Sequence, residues 1–142
     1  MKKKRVLLYA GIVLAVLVGL RFAAAFVWPT INDVKTGATR EYPDLQTQQF
    51  NQPVERVYEA ALAAAQSMGW EVTAQSKEQG EIRAVATTPV FRFKDDVTLS
   101  VSRDAGGAKV DMRSHSRIGR GDLGANARRI REFQAELARR LQ

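Results

Sequence analysis

The sequence predicts an α+β protein: a two-layer sandwich of a four-stranded antiparallel sheet with two helices on one face, in the order α-β-β-β-β-α, preceded by one N-terminal transmembrane helix. Three observations predict it. A single uninterrupted apolar run, Val6 to Leu20, follows a cationic start. Beyond it, apolar residues recur at helical spacing, then alternate with period two through four segments, then return to helical spacing. Two amphipathic helices flanking four consecutive strands bury their stripes only by packing against one face of the sheet.

The first element begins with Lys2, Lys3, Lys4 and Arg5, a basic flank expected in the cytoplasm, which places everything after about residue 28 across the membrane. Continued through Phe22 to Trp28, the helix reaches about 23 residues, or roughly 34 Å at 1.5 Å per residue, enough to span a bilayer. Arg21 then lies close enough to the far interface to snorkel, Phe26 and Trp28 suit an interfacial aromatic belt, and Pro29 ends the helix. The rival reading is a signal peptide cleaved after Ala25, since Ala23 and Ala25 satisfy the small-x-small rule. A retained anchor is the expectation, because the apolar residues beyond Ala25 have no purpose in a cleaved peptide. Cysteine is absent, so neither a lipoprotein site nor a disulfide is available. With no second apolar run, the expected topology is single-pass in a bacterial inner membrane, with the C-terminal domain periplasmic.

Residues 29–52 are polar and broken by Asn32-Asp33, Gly37 and Pro43-Asp44, and read as a linker between the anchor (1–28) and a soluble domain (53–142). A helix starts near Pro53 with Asn51 or Gln52 as cap; Val54, Val57, Tyr58, Ala61, Leu62, Ala65 and Met68 form its stripe, and Gly69 stops it. Trp70, Val72 and Ala74 then alternate with polar residues as a first strand, and Lys77 to Gly80 turn the chain. Ile82, Ala84 and Ala86 share one face of the second strand, which Pro89 ends. Phe91 and Phe93 precede a bulge or turn at Asp95-Asp96, leading into Val97, Leu99 and Val101. Asp104 to Gly107 has the composition of a hairpin turn. The fourth strand puts Val110, Met112, Ser114 and Ser116 on one face and Asp111, Arg113, His115 and Arg117 on the other. The last helix runs from Asp122 or Leu123 to Leu141, with Leu123, Ala127, Ile130, Phe133, Leu137 and Leu141 inward.

The formal charge of +7 dissolves when it is divided along the chain. Of 22 Lys and Arg, four lie in the N-terminal cluster and one is Arg21, leaving 17 against 15 acidic residues, or about +2 beyond the anchor. That removes the global argument for nucleic-acid binding. The charge that remains is uneven: residues 30–102 carry seven basic and ten acidic groups, residues 103–142 ten and five. Attraction to anions therefore belongs to the C-terminal third.

One block stands out there: Arg113-Ser114-His115-Ser116-Arg117-Ile118-Gly119-Arg120-Gly121-Asp122-Leu123-Gly124-Ala125-Asn126. With Gly80-Glu81-Ile82-Arg83-Ala84, Phe93-Lys94-Asp95-Asp96-Val97, Ile31-Asn32-Asp33-Val34 and Tyr42-Pro43-Asp44, it resembles the bacterial and plastid family DUF1499 over about residues 31–138. The resemblance implies no activity, because the family is defined by sequence alone. Its usual pattern has a small residue where this chain has His115, so no mechanism rests on that imidazole.

The chemical motifs divide into weak and weaker. Gly119-x-Gly121-x-x-Gly124 spells a dinucleotide fingerprint, but no second parallel strand follows and Asp122 would face a pyrophosphate with like charge. A glycine-rich turn with Asp122 or Asn126 capping the last helix is the expectation. A more modest alternative lets helix N–H groups, with Arg117, Arg120 and Arg129, hold a phosphate or carboxylate. Asp95-Asp96 lacks the further ligands a metal needs, and an ion pair with Arg113 or Arg117 is expected instead. Ser114 and His115 are adjacent on one strand and point to opposite faces, so they form no nucleophile–base pair. Arg120-Gly121-Asp122 is read as a chance adhesion tripeptide.

The functional expectation is a non-enzymatic, cofactor-free, membrane-anchored envelope module with no nucleic-acid partner. Its basic C-terminal third, with Arg113, Arg117, Gly119, Arg120, Gly121, Asn126 and Arg129 as candidate residues, docks a membrane-protein partner or lipid headgroup. The alternative is a carrier or sensor of a small anionic ligand at the Gly119 to Asn126 turn.

Overall fold

The computed structural model describes the backbone of residues 2–142 and the side chains of all of these except residues 2–4, 25 and 26. The side chains of Lys2, Lys3, Lys4, Ala25 and Phe26, invoked above for the basic flank, the cleavage site and the aromatic belt, thus lie outside the described residues. The elements in chain order are α1 (Lys2–Val27), β1 (Asp33–Lys35), β2 (Gln48–Phe50), α2 (Val54–Ser67), β3 (Glu71–Ser76), β4 (Glu81–Thr87), β5 (Lys94–Asp104), β6 (Gly107–Ser116) and α3 (Ala125–Arg140).

Helix α1 is long and apolar enough to cross a membrane over Arg5–Ala24, and that window packs against no other part of the chain. It stops where the sequence predicts, with a bend at Trp28 before Pro29.

The sheet corrects the expectation of four strands: it has six, all pairing antiparallel. The order is β1-β6-β5-β4-β3, and β2 shares the β6 edge with β1. β1 lies against Arg113 to His115 and β2 against Ala108 to Val110. Both additional strands come from the stretch read as linker. They are three residues each, too short to show an alternating pattern, and they form because β6, paired to β5 on one side, offers them its other, otherwise unpaired backbone edge. Val34 and Leu45 from this stretch are fully buried.

Helices α2 and α3 pack together and against β5 and β6, closing one face of the sheet. The inward residues are those the period-two pattern assigns: Ile82, Ala84 and Ala86 on β4, Val97, Leu99 and Val101 on β5, Val110 and Met112 on β6. Ala127, Ile130, Phe133 and Leu137 of α3, with Leu141 at its C-cap, meet them. Phe133 stacks on Trp70 with ring centroids 5.6 Å apart, tying α3 to the entry of β3.

Smaller departures have local causes. A register shift between Val72 and Ala74 inserts Thr73 as an extra residue, so Ala74 faces solvent instead of the core. Pro53 itself occupies the N-cap of α2, without a side-chain cap bond from Asn51 or Gln52. Asp95 and Asp96 lie within β5 and not in a turn; the turn is displaced to residues 88–93, closed by Thr88 N–H to Phe93 O at 2.9 Å. Leu123 precedes α3 in left-handed backbone and is exposed, so it leaves the apolar stripe.

Two phenylalanines test what this core depends on. Phe133 is 0% exposed and Phe91 74%. Phe133→Ala is expected to cost about 3–5 kcal/mol by chemical denaturation of the detergent-solubilised chain, whereas Phe91→Ala stays within about 0.5 kcal/mol of wild type.

Candidate functional site

The segment from β6 to α3 carries most of the distinctive sequence, and its side chains divide between two environments. Residues that point inward from β6 build a buried polar cluster. Asn126, at the start of α3 and 0% exposed, is its centre. Its amide nitrogen donates to Ser116 Oγ at 2.8 Å and to the Asn32 carbonyl at 3.1 Å. Its amide oxygen accepts from Ser114 Oγ at 2.6 Å and from Arg129 Nη1 at 2.8 Å. Arg129 also donates to Ser114 Oγ at 2.8 Å and pairs with Asp95 at 2.6 Å, the two side chains being 11% and 2% exposed. Every polar atom of Asn126 is therefore used inside the fold.

The loop from Arg117 to Gly124 is held just as tightly. Asp122 accepts from Gly124 N–H at 2.8 Å and from Asn126 N–H at 2.9 Å, so it caps α3 as the sequence suggests. Its carboxylate thereby fills the helix N-terminus that the anion-carrier alternative reserves for a ligand. Asn32 donates to the Gly119 carbonyl, and Asp122 N–H donates to Ile31 O at 3.1 Å. Gly121 lies against Thr30. Gly124, at φ +75°, faces the Trp28 indole so closely that a Cβ there would stand 2.5 Å from Trp28 Cδ1. Only glycine admits this contact. The residues leaving α1 and the glycine-rich loop are thus one packed unit.

On the outer, helix-free face, the charges from β1, β5 and β6 are paired diagonally across the strands. Arg113 forms a two-pronged bond with Asp33 (2.9 and 2.6 Å), and Arg117 one with Asp96 (3.0 and 2.6 Å). His115 lies in register between Asp33 and Asp96. The Arg113 hydrogen bond holds the Asp33 carboxyl below its ordinary 3.8, and the Arg117 bond does the same for Asp96. Farther along this face, Lys35, Arg83, Thr98, Ser100, Asp111 and Arg113 line an open polar depression of about 410 Å³.

The candidate arginines consequently do not converge. Arg113 and Arg117 are on the outer face, each paired; Arg129 is buried beneath α3; Arg120 alone of the four has no acidic partner among the described residues. Asp95 pairs with Arg129, an arginine the sequence analysis had not matched to it. Ser114 is buried in the Asn126 cluster while His115 stands on the other face. Sequence reasoning missed Asn32, whose partners lie more than eighty residues away. It also missed the exposed apolar residues Val90, Phe91, Ile118 and Leu123, whose placement in Gly- and Pro-containing loops was the available signal.

The two classes of ion pair should separate on mutation. Arg129→Ala leaves Asp95 buried and uncompensated, with an expected loss of about 3–5 kcal/mol, while Arg113→Ala costs less than about 1 kcal/mol and Arg117→Ala leaves Asp96 solvated. Because the folded-state values of Asp33 and Asp96 are depressed, their contribution is complete above the ordinary 3.8 and is lost as the pH falls below it. The Arg113→Ala, Arg117→Ala double variant should show a shallower loss of stability in that acid range by denaturation at stepped pH.

Comparison with known proteins bears on the whole of this unit. Residues 25–137 match the family described as "Protein of unknown function (DUF1499)". No curated protein matches the chain. Among solved structures, protein CV1439 from Chromobacterium violaceum is similar at 15% identity, covering 78% of this chain and 96% of that one, with a TM-score of 0.48. TTHA0849 from Thermus thermophilus is similar at 15% identity, covering 77% and 96%, with a TM-score of 0.42. Ara h 8.0201 is similar at 9% identity, covering 77% and 97%, with a TM-score of 0.37. The match begins at the end of α1 and reaches the last turns of α3, so it takes in the segment leaving α1, the Asn126 cluster and the sheet together: the chain belongs to the DUF1499 family.

Proposed function

We propose that the protein is a single-pass, membrane-anchored accessory module without catalytic activity, its N-terminus cytoplasmic and its domain periplasmic. It works by docking neighbouring components of the membrane surface. One observation carries this. Only residues 28–32 separate α1 from β1, and that junction is bonded to the loop at 117–124, so the domain has no free tether on which to range. A span whose side chains find no protein cover is suited to lipid, and the domain at its end is confined to the interface.

The basic character of the C-terminal third narrows accordingly. With Arg113, Arg117 and Arg129 engaged by aspartates, Arg120 is the candidate arginine left to meet a headgroup phosphate or an acidic partner. Its loop lies on the anchor side of the domain. The separation of Ser114 from His115 and the absence of cysteine support the non-catalytic reading.

Two measurements test this. Membrane-fraction protein should have the intact mass of the full chain, and a reporter active only in the periplasm should be active when fused after Gln142. A mature chain beginning at Phe26, or an inactive fusion, overturns the anchor or the orientation. A photocrosslinker at Arg120 should capture lipid or a membrane protein in cells. Capture by the same residue of soluble periplasmic proteins alone overturns the docking role.

A further inference from the structure

The antiparallel register places three segments at one end of the sheet. β1 is entered there from α1, since Asp33 pairs with His115 near the end of β6. β6 leaves there into the 117–124 loop, and β4 passes to β5 there through the 88–93 turn, since Asp95 pairs with both Ser116 and Ala86. Arg117 N–H donating to Lys94 O at 3.3 Å joins the two loops. Beyond α1, every exposed large apolar side chain among the described residues lies in these loops. They are Val90, Phe91 and Phe93 in one and Ile118 and Leu123 in the other, between 45% and 78% exposed.

We infer that these two loops dip into the same bilayer that α1 crosses, as a second membrane contact beside the helix. The inference rests on the anchored reading and adds a surface to it. Depth supports it. Ala24 ends the apolar window and Trp28 follows four residues later, so the packed Trp28–Gly124 contact stands roughly 6 Å above the hydrocarbon edge. The 117–124 loop is therefore at headgroup level as a consequence of the fold. The 88–93 turn joins β5 and β4, two and three strand spacings from β1, and so lies about 12 Å to the side.

The chemistry of the loops fits lipid as the single occupant. Phe91 and Phe93 stack on one another at 5.6 Å and project from the domain without contributing to its core. Arg92, Lys94 and Arg120 border the apolar residues, are exposed, and have no ion-pair partner among the described residues. Apolar tips rimmed by unpaired cations are matched to acyl chains beneath anionic headgroups. Arg92 and Leu123, at φ 58° and 52°, are the non-glycine residues held in left-handed backbone among the described residues, one in each loop. In that conformation the Leu123 carbonyl accepts from Arg128 Nη1 at 3.0 Å while its side chain is turned out of the α3 stripe into solvent.

The test uses the full chain, which has no native cysteine to confuse labelling. Single-cysteine variants Phe91→Cys, Ile118→Cys, Val13→Cys and Ala105→Cys carry a nitroxide and are reconstituted in vesicles of phosphatidylethanolamine and phosphatidylglycerol. Collision with oxygen is compared with collision with a water-soluble nickel chelate. We expect the labels at 91 and 118 to behave like that at 13, favouring oxygen, and the label at 105, on the opposite hairpin, to favour nickel. If 91 and 118 follow 105 while 13 remains lipidic, the second contact is overturned and the anchor stands. If 13 is aqueous or missing from the mature chain, the anchored reading itself fails. Labels at 91 that are shielded from both reagents and broadened by spin–spin coupling, relieved on dilution with unlabelled protein, would identify a second copy as the occupant and overturn the bilayer assignment.

Discussion

The structure depends on how Asn126 is buried. A side-chain amide with no solvent contact requires partners for both its oxygen and its nitrogen, and those partners come from separate parts of the chain. Ser114 and Ser116 come from β6, Arg129 from the next turn of α3, and the Asn32 carbonyl from the segment that joins α1 to β1. Satisfying one amide therefore fixes the docking of α3, the edge of the sheet and the point at which the chain leaves α1. Arg129 extends the constraint to β5 through Asp95. A half-satisfied cluster of this kind would be worse than an apolar one, which makes it a positioning device and a demanding one.

Seen from this cluster, the distinctive block from Arg113 to Arg129 is mostly architecture. Serines at alternate positions face inward because a strand's period is two, and Asn126 meets them because the 117–124 loop folds back and brings the start of α3 beside the end of β6. The glycines let the loop fold back on Thr30 and Trp28, and Asp122 supplies the negative charge that the start of α3 favours. A pattern of glycines and arginines at the start of a helix resembles an anion cradle in sequence. In three dimensions the protein supplies the anion itself.

The long elements were legible because their periodicity is redundant. Five inward residues on α3, or four alternating ones on β6, give the same answer even if one position departs. β1 and β2 were illegible for the converse reason: each has three residues, and their stability derives from the β6 backbone and not from their own side chains. The ion pairs were partly legible. Arg117 to Asp96 follows from adjacent strands in a predicted hairpin, but Arg113 to Asp33 and Arg131 to Asp44 join β6 and α3 to the stretch read as linker and need its path to be known first. Leu123 looked like core because it falls at helical spacing. The left-handed turn before Gly124 rotates it out of the stripe.

A helix anchor by itself leaves a domain free to swivel about the membrane normal and to tilt. On the proposed two-point attachment, a second contact about 12 Å to the side removes most of that freedom, and it does so in a specific direction. The strands of the β5–β6 hairpin run from the α1 end of the sheet toward Ala105, so under that proposal the sheet stands end-on to the bilayer with its helix-free face turned sideways. Arg113 is three residues above Ser116, which sets the polar depression lined by Lys35, Arg83, Thr98 and Arg113 roughly 10 Å above the loops. A face held at that height and orientation meets the membrane-proximal parts of neighbouring proteins before it meets anything in bulk solution. Two attachment points, as proposed, would convert a tethered domain into one with a defined outward side, on which the paired charges of Arg113–Asp33 and Arg117–Asp96 present a pattern of fixed sign instead of a diffuse positive field.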